Sequence, residues 1–399
     1  MSNPKVLFIS WQVGMGHITR DIAIAQALRS ARPGVDIVWL AQPLACKVLH
    51  GAGETILEHS GSCADYNLSL SKVVAGFRFN VMDYWRESQE ARESNVQVLR
   101  QVLRDFRFDL IIGDEIYEVA DAVAKGTLTM SCPIVMVEDF IGSQPMTDDR
   151  LEQLAVQRTN RILIQQASLL KNKVTRLFVG ELEDIPDEVF GSPPVRKRYF
   201  ARLYYTIVGY VVRFDPAQYG DRDRIRARLG YSSDPLIVCA TGGTAAGKEV
   251  LELRGRSYSL LKASNPGLRM LFVCGELYGK EQPNLPAGVD VRSYVDKLYE
   301  HYAACDMAVV VGGGTTTIEL SALRRPFVYF PLEGQFDQEV YIAERLTRHG
   351  AGIGMSYRET SPERLAEVIS KNMGRQVTWA APLANGASVA AGAISRLLP

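Results

Sequence analysis

Two places in this sequence combine residue types that can move a proton. The first is "WQVGMGHITRDIAIAQAL", where Gly14 and Gly16 lead into His17. Ile18, Ile22 and Ala25 recur behind them at helical spacing, so the glycine turn feeds a helix and His17 lies at its mouth. Free amides and the dipole at such an end favour an anion or a polar ligand. A histidine there can serve as a base, and it can equally be a cap or a satisfied polar residue. The second place is "DLIIGDEIYE", an apolar run closed by Asp114 and Glu115. Carboxylates at the C-terminal end of a parallel strand lie on the ligand side of a sheet. Either can hold a histidine in its basic tautomer, and either can be an ordinary helix-start acid.

The second half of the chain carries glycine turns of another kind. In "VCATGGTAAGKEVLEL", Thr241-Gly242-Gly243-Thr244 stands between an apolar run and a helical pattern. Glycines there let backbone amides approach an oxygen-rich ligand. The spacing of a Walker loop is absent. In "VVVGGGTTTIEL" three glycines end a strand-like run and three threonines follow. Thr316 to Glu319 also fits a T-x-x-E capping box. Further on, "PLEGQFDQEVYIAERL" places Glu333, Asp337, Gln338 and Glu339 just past a strand end. That cluster suits a polyol or an exposed loop. One more segment, "GFRFNVMDYWRE", sets Phe77, Phe79, Tyr84 and Trp85 among arginines. It suits core packing, an acceptor groove or a membrane-touching face.

The elements that must position these residues follow from periodicity. Apolar β-branched runs at 6–10, 36–40, 109–113 and 133–138 read as buried parallel strands. The pattern resumes at 235–240, 269–275, 307–312 and 326–331. Strand–helix alternation of this kind implies doubly wound α/β sheets, and it occurs twice. The break falls in the proline-containing, basic stretch 191–216, with a hinge expected at Ile207 to Arg213. The expected domains are 1–207 and 208–384, with the helix in 385–399 packing back on the first.

Bulk properties narrow the class. The 399 residues suffice for two or three domains, and 47% are hydrophobic against 23% charged. Lys plus Arg and Asp plus Glu are both 45, so the net charge is zero, which argues against a nucleic-acid partner. The six cysteines are scattered with no C-x-x-C pair, as expected for free thiols in a reducing cytoplasm. The histidines show no metal-ligand spacing. The start "MSNPKVLFIS" shows no signal peptide, and no apolar run reaches the roughly 18 residues of a membrane span. A dinucleotide fold would want G-x-G-x-x-G at the first turn, but Thr19 stands at the third glycine.

Taken together, these motifs resemble GT-B glycosyltransferases. The closest pattern is the bacterial N-acetylglucosaminyltransferase family that makes lipid II from lipid I, alongside UDP-sugar transferases acting on small molecules. The resemblance is patchy in the first half and nearly continuous over 208–352. It implies two Rossmann-like domains facing across a cleft. "VGYVVR" resembles the family's hinge, which implies a pyrophosphate contact from Arg213. "GGT" resembles a Gly-Gly-Ser turn, implying phosphate contacts at Gly243 and Thr244. "SYVDKLYEHYAACDM" resembles the base-bracketing segment, implying Tyr294 and the Val295 backbone against uracil. "GGGTTTIEL" resembles the ribose and phosphate loop: Gly313, Gly314, Thr315 and Thr316 near the phosphates, Glu319 on the ribose hydroxyls. "PLEGQFDQ" resembles the donor-sugar loop, implying Asp337 and Gln338. "GMGH" resembles the acceptor-side loop of Gly14 and Gly16, with His17 as base.

Two departures bear on substrates. Val311 stands where many UDP-sugar transferases have a histidine, which leaves more to Arg213 and the amides. "GDEIYE" replaces a glycine-rich loop of the lipid I enzyme, and its acids would repel a diphosphate acceptor. The resemblance implies an inverting hexosyltransferase using a nucleotide sugar, UDP-linked before dTDP-linked, and a small-molecule or lipid hydroxyl acceptor. His17, oriented by Asp114 or Glu115, would take the acceptor proton, with Glu138 or Asp139 as the next bases to test. No metal and no cofactor are implied. The expected location is the cytoplasm, with peripheral contact at the inner membrane face as its variant. A UDP-sugar 2-epimerase and a non-catalytic GT-B binding subunit are the rival readings.

Overall fold

A computed structural model describes residues 3–242, 247–275 and 285–399. The expected phosphate contacts Gly243 and Thr244 lie outside the described residues. The chain forms two compact units.

The first unit comprises Met1–Val73, Asn80–Arg213 and Asn385–Pro399. Its strands are β1 (Lys5–Ser10), β2 (Asp36–Ala41), β3 (Thr55–Ile56), β4 (Leu110–Asp114), β5 (Ile134–Glu138) and β6 (Val174–Val179). A short hairpin, β7 (Val189–Phe190) with β8 (Val195–Arg196), precedes β9 (Tyr205–Gly209). The seven-stranded sheet runs β3-β2-β1-β4-β5-β6-β9, and its pairings are parallel. Alternation along β1 explains its continuous apolar run. Val6 and Phe8 enter one core and Leu7 and Ile9 the other, so both faces are covered. The helix Gly386–Ser395 lays Ala390, Ala391 and Ile394 into the core that holds Ile18, Ile22 and Ala25 of the helix Met15–Ala31. Small side chains there allow a close approach.

The second unit comprises Val74–Phe79 and Phe214–Ala384. Its strands are β10 (Leu236–Ala240), β11 (Arg269–Val273), β12 (Asp290–Arg292), β13 (Met307–Val311), β14 (Phe327–Phe330) and β15 (Ile353–Gly354). They form a six-stranded sheet, β12-β11-β10-β13-β14-β15, again with parallel pairings. Both sheets thus turn back on either side of their first strand, the doubly wound order whose ligands sit at the carboxyl ends of strands. The alternation in the sequence implied this fold class, and the structure has it.

Two boundaries differ from expectation. The break falls after Arg213, not after 207, because β9 pairs with β6 and so belongs to the first sheet. The short segment Val74–Phe79 lies inside the second unit although its neighbours on both sides lie in the first. Burial of Phe77 in the second unit's core accounts for the excursion. Tyr84 and Trp85 stay in the first unit, half-buried on the helix Val81–Glu87. Among the described residues no helix is long and apolar enough to cross a membrane.

Candidate functional site

In the first unit three strand ends converge. β1 ends at Ser10, and the chain turns through Gly14, whose φ of 86° opens the helix Met15–Ala31. The Gly14 amide donates to Asn67 Oδ1 at 2.8 Å. No side chain caps this helix, so His17, its third residue, is not a cap. β4 ends at Asp114, and Glu115 follows with a positive φ of 50°. The Glu115 amide donates to Val137 O at 2.9 Å, and Gln12 Nε2 donates to Glu115 O at 2.7 Å. A Cβ on Gly113 would stand 2.5 Å from Ile116 Cδ1, so a larger residue there would have to displace the Ile116 side chain.

Arg20 organises the cluster. Its Nε donates to Asp114 Oδ2 at 2.9 Å and its Nη2 to Oδ1 at 2.6 Å. Nη1 donates to Asp139 Oδ2 at 2.7 Å. Nη2 also lies 2.8 Å from His17 Nδ1, while Asp114 Oδ1 is 3.2 Å from the same nitrogen. Such a fork is the strong, geometrically specific form of ion pair. Arg20 is only 4% exposed, so it works in a low dielectric.

The charges sort themselves accordingly. Burial pushes the Asp114 carboxyl up, but Arg20 and then His17 more than offset it and hold it well below the usual range. Asp139 is held low in the same way against its burial, with a hydrogen bond from Glu115 helping. Glu115 goes the other way: burial, then Asp139 and Asp114, push it well up. Asp21 is raised by burial and by Asp114, despite a 2.5 Å hydrogen bond from Ser10 Oγ. Asp114 and Asp139 are therefore both held low beside one guanidinium, while Glu115 and Asp21 are pushed the other way.

His17, Asp114 and Glu115 each offer one ligand atom within 4.8 Å of the others, the spacing of a metal site. Arg20 already supplies a positive charge to Asp114 there. Glu138, one of the next bases considered, is locked: Arg176 Nη1 donates to both its oxygens at 3.0 and 2.9 Å, and the Tyr205 hydroxyl donates at 3.1 Å. Sequence reading missed Arg20. Its signal was the i, i+3 spacing from His17, which puts both on one helix face.

In the second unit the glycine turns lie at the carboxyl ends of β10 and β13. Just past β10, Thr241 Oγ1 donates to Cys274 O at 2.9 Å. After β13, Gly312 donates to Phe330 O at 2.7 Å and Gly313 is the N-cap of the helix Gly314–Ala322. The capping box is therefore not formed: Thr316 is the third helical residue and no side chain caps the end. The first backbone bond of this helix runs from Thr317 N–H to Gly313 O at 3.1 Å, so the amides of Gly314, Thr315 and Thr316 precede it. Glu319 is buried one turn in; after burial itself, its charge is the next largest cause raising the Tyr302 phenol. Arg345 Nη2 donates to Gly314 O at 3.1 Å and to Thr317 Oγ1 at 2.9 Å.

Tyr294 is 40% exposed just past β12, and Val295 packs on the core beside Leu298. Asp337 and Gln338 start a π-helical turn, Asp337–Ile342, a form often found at functional sites. Gln338 Oε1 accepts from Leu332 N–H at 2.9 Å. Arg213, expected in the second domain, is the last residue before the break and belongs to the first unit.

Residues 237–391 match the model of the glycosyltransferase family 28 C-terminal domain. An uncharacterised glycosyltransferase of Methanopyrus kandleri is 29% identical over 176 residues, 44% of this chain and about half (48%) of that protein. The UDP-N-acetylglucosamine--N-acetylmuramyl-(pentapeptide) pyrophosphoryl-undecaprenol N-acetylglucosamine transferase of Carboxydothermus hydrogenoformans is 28% identical, covering 92% of this chain and 88% of its own. Among solved structures, the glycotransferase of kitacinnamycin superposes with a TM-score of 0.65 at 14% identity, covering both chains fully (100%). SnogD from Streptomyces nogalater gives 0.57 at 16% identity, covering 100% of this chain and 96% of its own. At these identities the structural likeness is one of fold.

Proposed function

We propose that this chain, a glycosyltransferase of the GT-B fold that moves a sugar from a nucleotide-sugar donor to an acceptor, is an inverting hexosyltransferase using a UDP-linked donor and a hydroxyl acceptor. The observation that carries this reading is the His17–Asp114 pair, with Nδ1 to Oδ1 at 3.2 Å, at the mouth of the first helix. When Nδ1 bears the hydrogen toward Asp114, Nε2 is free to take the acceptor's proton. The acceptor oxygen then attacks the anomeric carbon, the bond to the diphosphate oxygen breaks, and UDP leaves with the electron pair. Base catalysis of this kind contributes about 10²–10⁴ in rate.

On the donor side, the amides of Gly314, Thr315 and Thr316 and the helix dipole suit the diphosphate, with Gly313 shaping the approach. Glu319 accepts from the ribose hydroxyls. Tyr294 and Val295 flank the base, Asp337 and Gln338 meet the sugar, and Arg213 contributes charge to the pyrophosphate. Gly243 and Thr244 complete the phosphate contacts, and Gly14 and Gly16 shape the acceptor side. The Carboxydothermus relative's name specifies UDP-N-acetylglucosamine, which supports uridine as the base. A small-molecule or lipid hydroxyl is the acceptor. Cytoplasmic location with peripheral membrane contact completes the reading.

The test is calorimetry with UDP, dTDP, ADP and GDP. UDP should bind most tightly, and at 100 times its Kd should add about 2.7 kcal/mol of stability. Absence of UDP and dTDP binding at millimolar concentration overturns the donor assignment. Product NMR then reads the anomeric configuration, and a retained anomer overturns inversion.

A further inference from the structure

The segment Val74–Phe79 makes a tight turn of its own. The Ala75 and Arg78 amides and carbonyls exchange hydrogen bonds at 3.2 and 3.1 Å. Between them Gly76 and Phe77 have φ of 58° and 57°, the left-handed pair of a two-residue hairpin turn. For a bulky aromatic residue that backbone is unusual and persists only where the surroundings hold it. Here they do: Phe77 is fully buried in the second unit's core and meets the Tyr357 ring edge-on at 5.5 Å.

What this hairpin grips is the loop after β14. Arg78 bridges Glu333 in parallel register, and the Phe79 amide donates to Glu333 O at 2.8 Å. The approach is so close that a Cβ on Gly334 would stand 2.3 Å from Phe79 O. Gly334 itself has a φ of 82°. From the other side, Glu339 Oε2 accepts from the Gly334 amide at 2.7 Å and Arg358 Nε pairs with Glu333 Oε2 at 2.6 Å. The loop is therefore held at its middle by a piece of chain from outside the family-matched region 237–391.

We propose that Val74–Phe79 is a clip that positions the loop 331–338 for the donor sugar, with Phe77 as its anchor and a specificity-determining positioning residue. This rests on the donor reading above. A held backbone at Glu333 and Gly334 fixes where Asp337 and Gln338 stand, so the clip acts on the sugar and not on the nucleotide.

The experiment uses the full chain with Phe77→Ala, Phe77→Leu and Gly334→Ala. Amide exchange over 331–339 should accelerate at least tenfold in Phe77→Ala and Gly334→Ala, with β13 unchanged, and Phe77→Leu should restore most protection. In calorimetry, UDP should bind within twofold of the parent in all three, while UDP-N-acetylglucosamine should weaken at least fivefold in the first and third. Unchanged exchange at 331–339 overturns the clip. An equal loss for UDP and for the UDP-sugar overturns its sugar-specific role. If the parent binds neither ligand, the donor reading and the sugar role fall together, and exchange alone still decides whether the clip holds the loop. If Phe77→Ala does not fold, Phe77→Leu and Gly334→Ala decide by the same readouts.

Discussion

Nη2 of Arg20 stands 2.8 Å from Nδ1 of His17, closer than Oδ1 of Asp114 at 3.2 Å. If Nδ1 accepts from Arg20, the ring hydrogen sits on Nε2. If Nδ1 donates to Asp114, Nε2 is the free base. Arg20 and Asp114 thus set the tautomer between them. Arg20→Met should move the imidazole toward the Nδ1–H form, read from ¹⁵N shifts of the ring. It should also destabilise the fold by about 3–5 kcal/mol, because Asp114 is left buried and uncompensated. The double variant Arg20→Met with Asp114→Asn should lose clearly less than the sum of the singles; additive losses would show that the pair is not coupled.

His17→Ala should reduce transfer by about 10²–10⁴ while UDP affinity stays within about twofold. The imidazole is in the first unit and the nucleotide contacts, Arg213 apart, are assigned to the second, so base and donor binding separate in kinetics. Near-full turnover in steady-state assays would move the base elsewhere. Asp139 is then the candidate, since Glu138 is locked by Arg176 and Tyr205.

Glu115 gives a pH signature. Its folded carboxyl is raised by burial, Asp139 and Asp114, so the folded state holds a proton that the unfolded chain releases above about 4.3. The folded state then binds more protons, and this group's contribution to stability falls as pH rises toward its raised value. Glu115→Gln mimics the protonated acid. Chemical denaturation should find it more stable than the parent at neutral pH, with the advantage vanishing near pH 4. No pH dependence in the difference would refute the buried neutral acid.

Glu319→Ala should weaken UDP by about 1.5–3 kcal/mol, the scale of lost hydrogen bonds to a charged group. Gly313 and not Thr316 is the N-cap of the helix Gly314–Ala322, and a purely structural Glu319 predicts lost stability with UDP affinity untouched. Glu319→Gln should keep the fold and lose part of the affinity. Calorimetry with unchanged Kd in both variants would detach Glu319 from the ribose.

Local pattern carried much of this protein. The β-branched runs, the glycine turns after them and the helical spacing behind His17 are short-range features. A parallel sheet then obliges every turn that follows a strand to lie at its carboxyl edge, which placed His17, Asp114 and the Gly313 turn without any contact being known. Tertiary structure decided what no window of sequence contains. Arg20 finds Asp114 and Asp139 across separations of 94 and 119 residues, and its charge set against their burial holds those two carboxyls low while Glu115 and Asp21 are raised. Phe77 leaves its neighbours for the core of the second unit, and β9 joins the first sheet whole although the expected boundary after 207 falls within it. In each case the deciding interaction is made with a distant part of the chain. It depends on which distant surfaces close over a side chain, and periodicity along the chain says nothing about that.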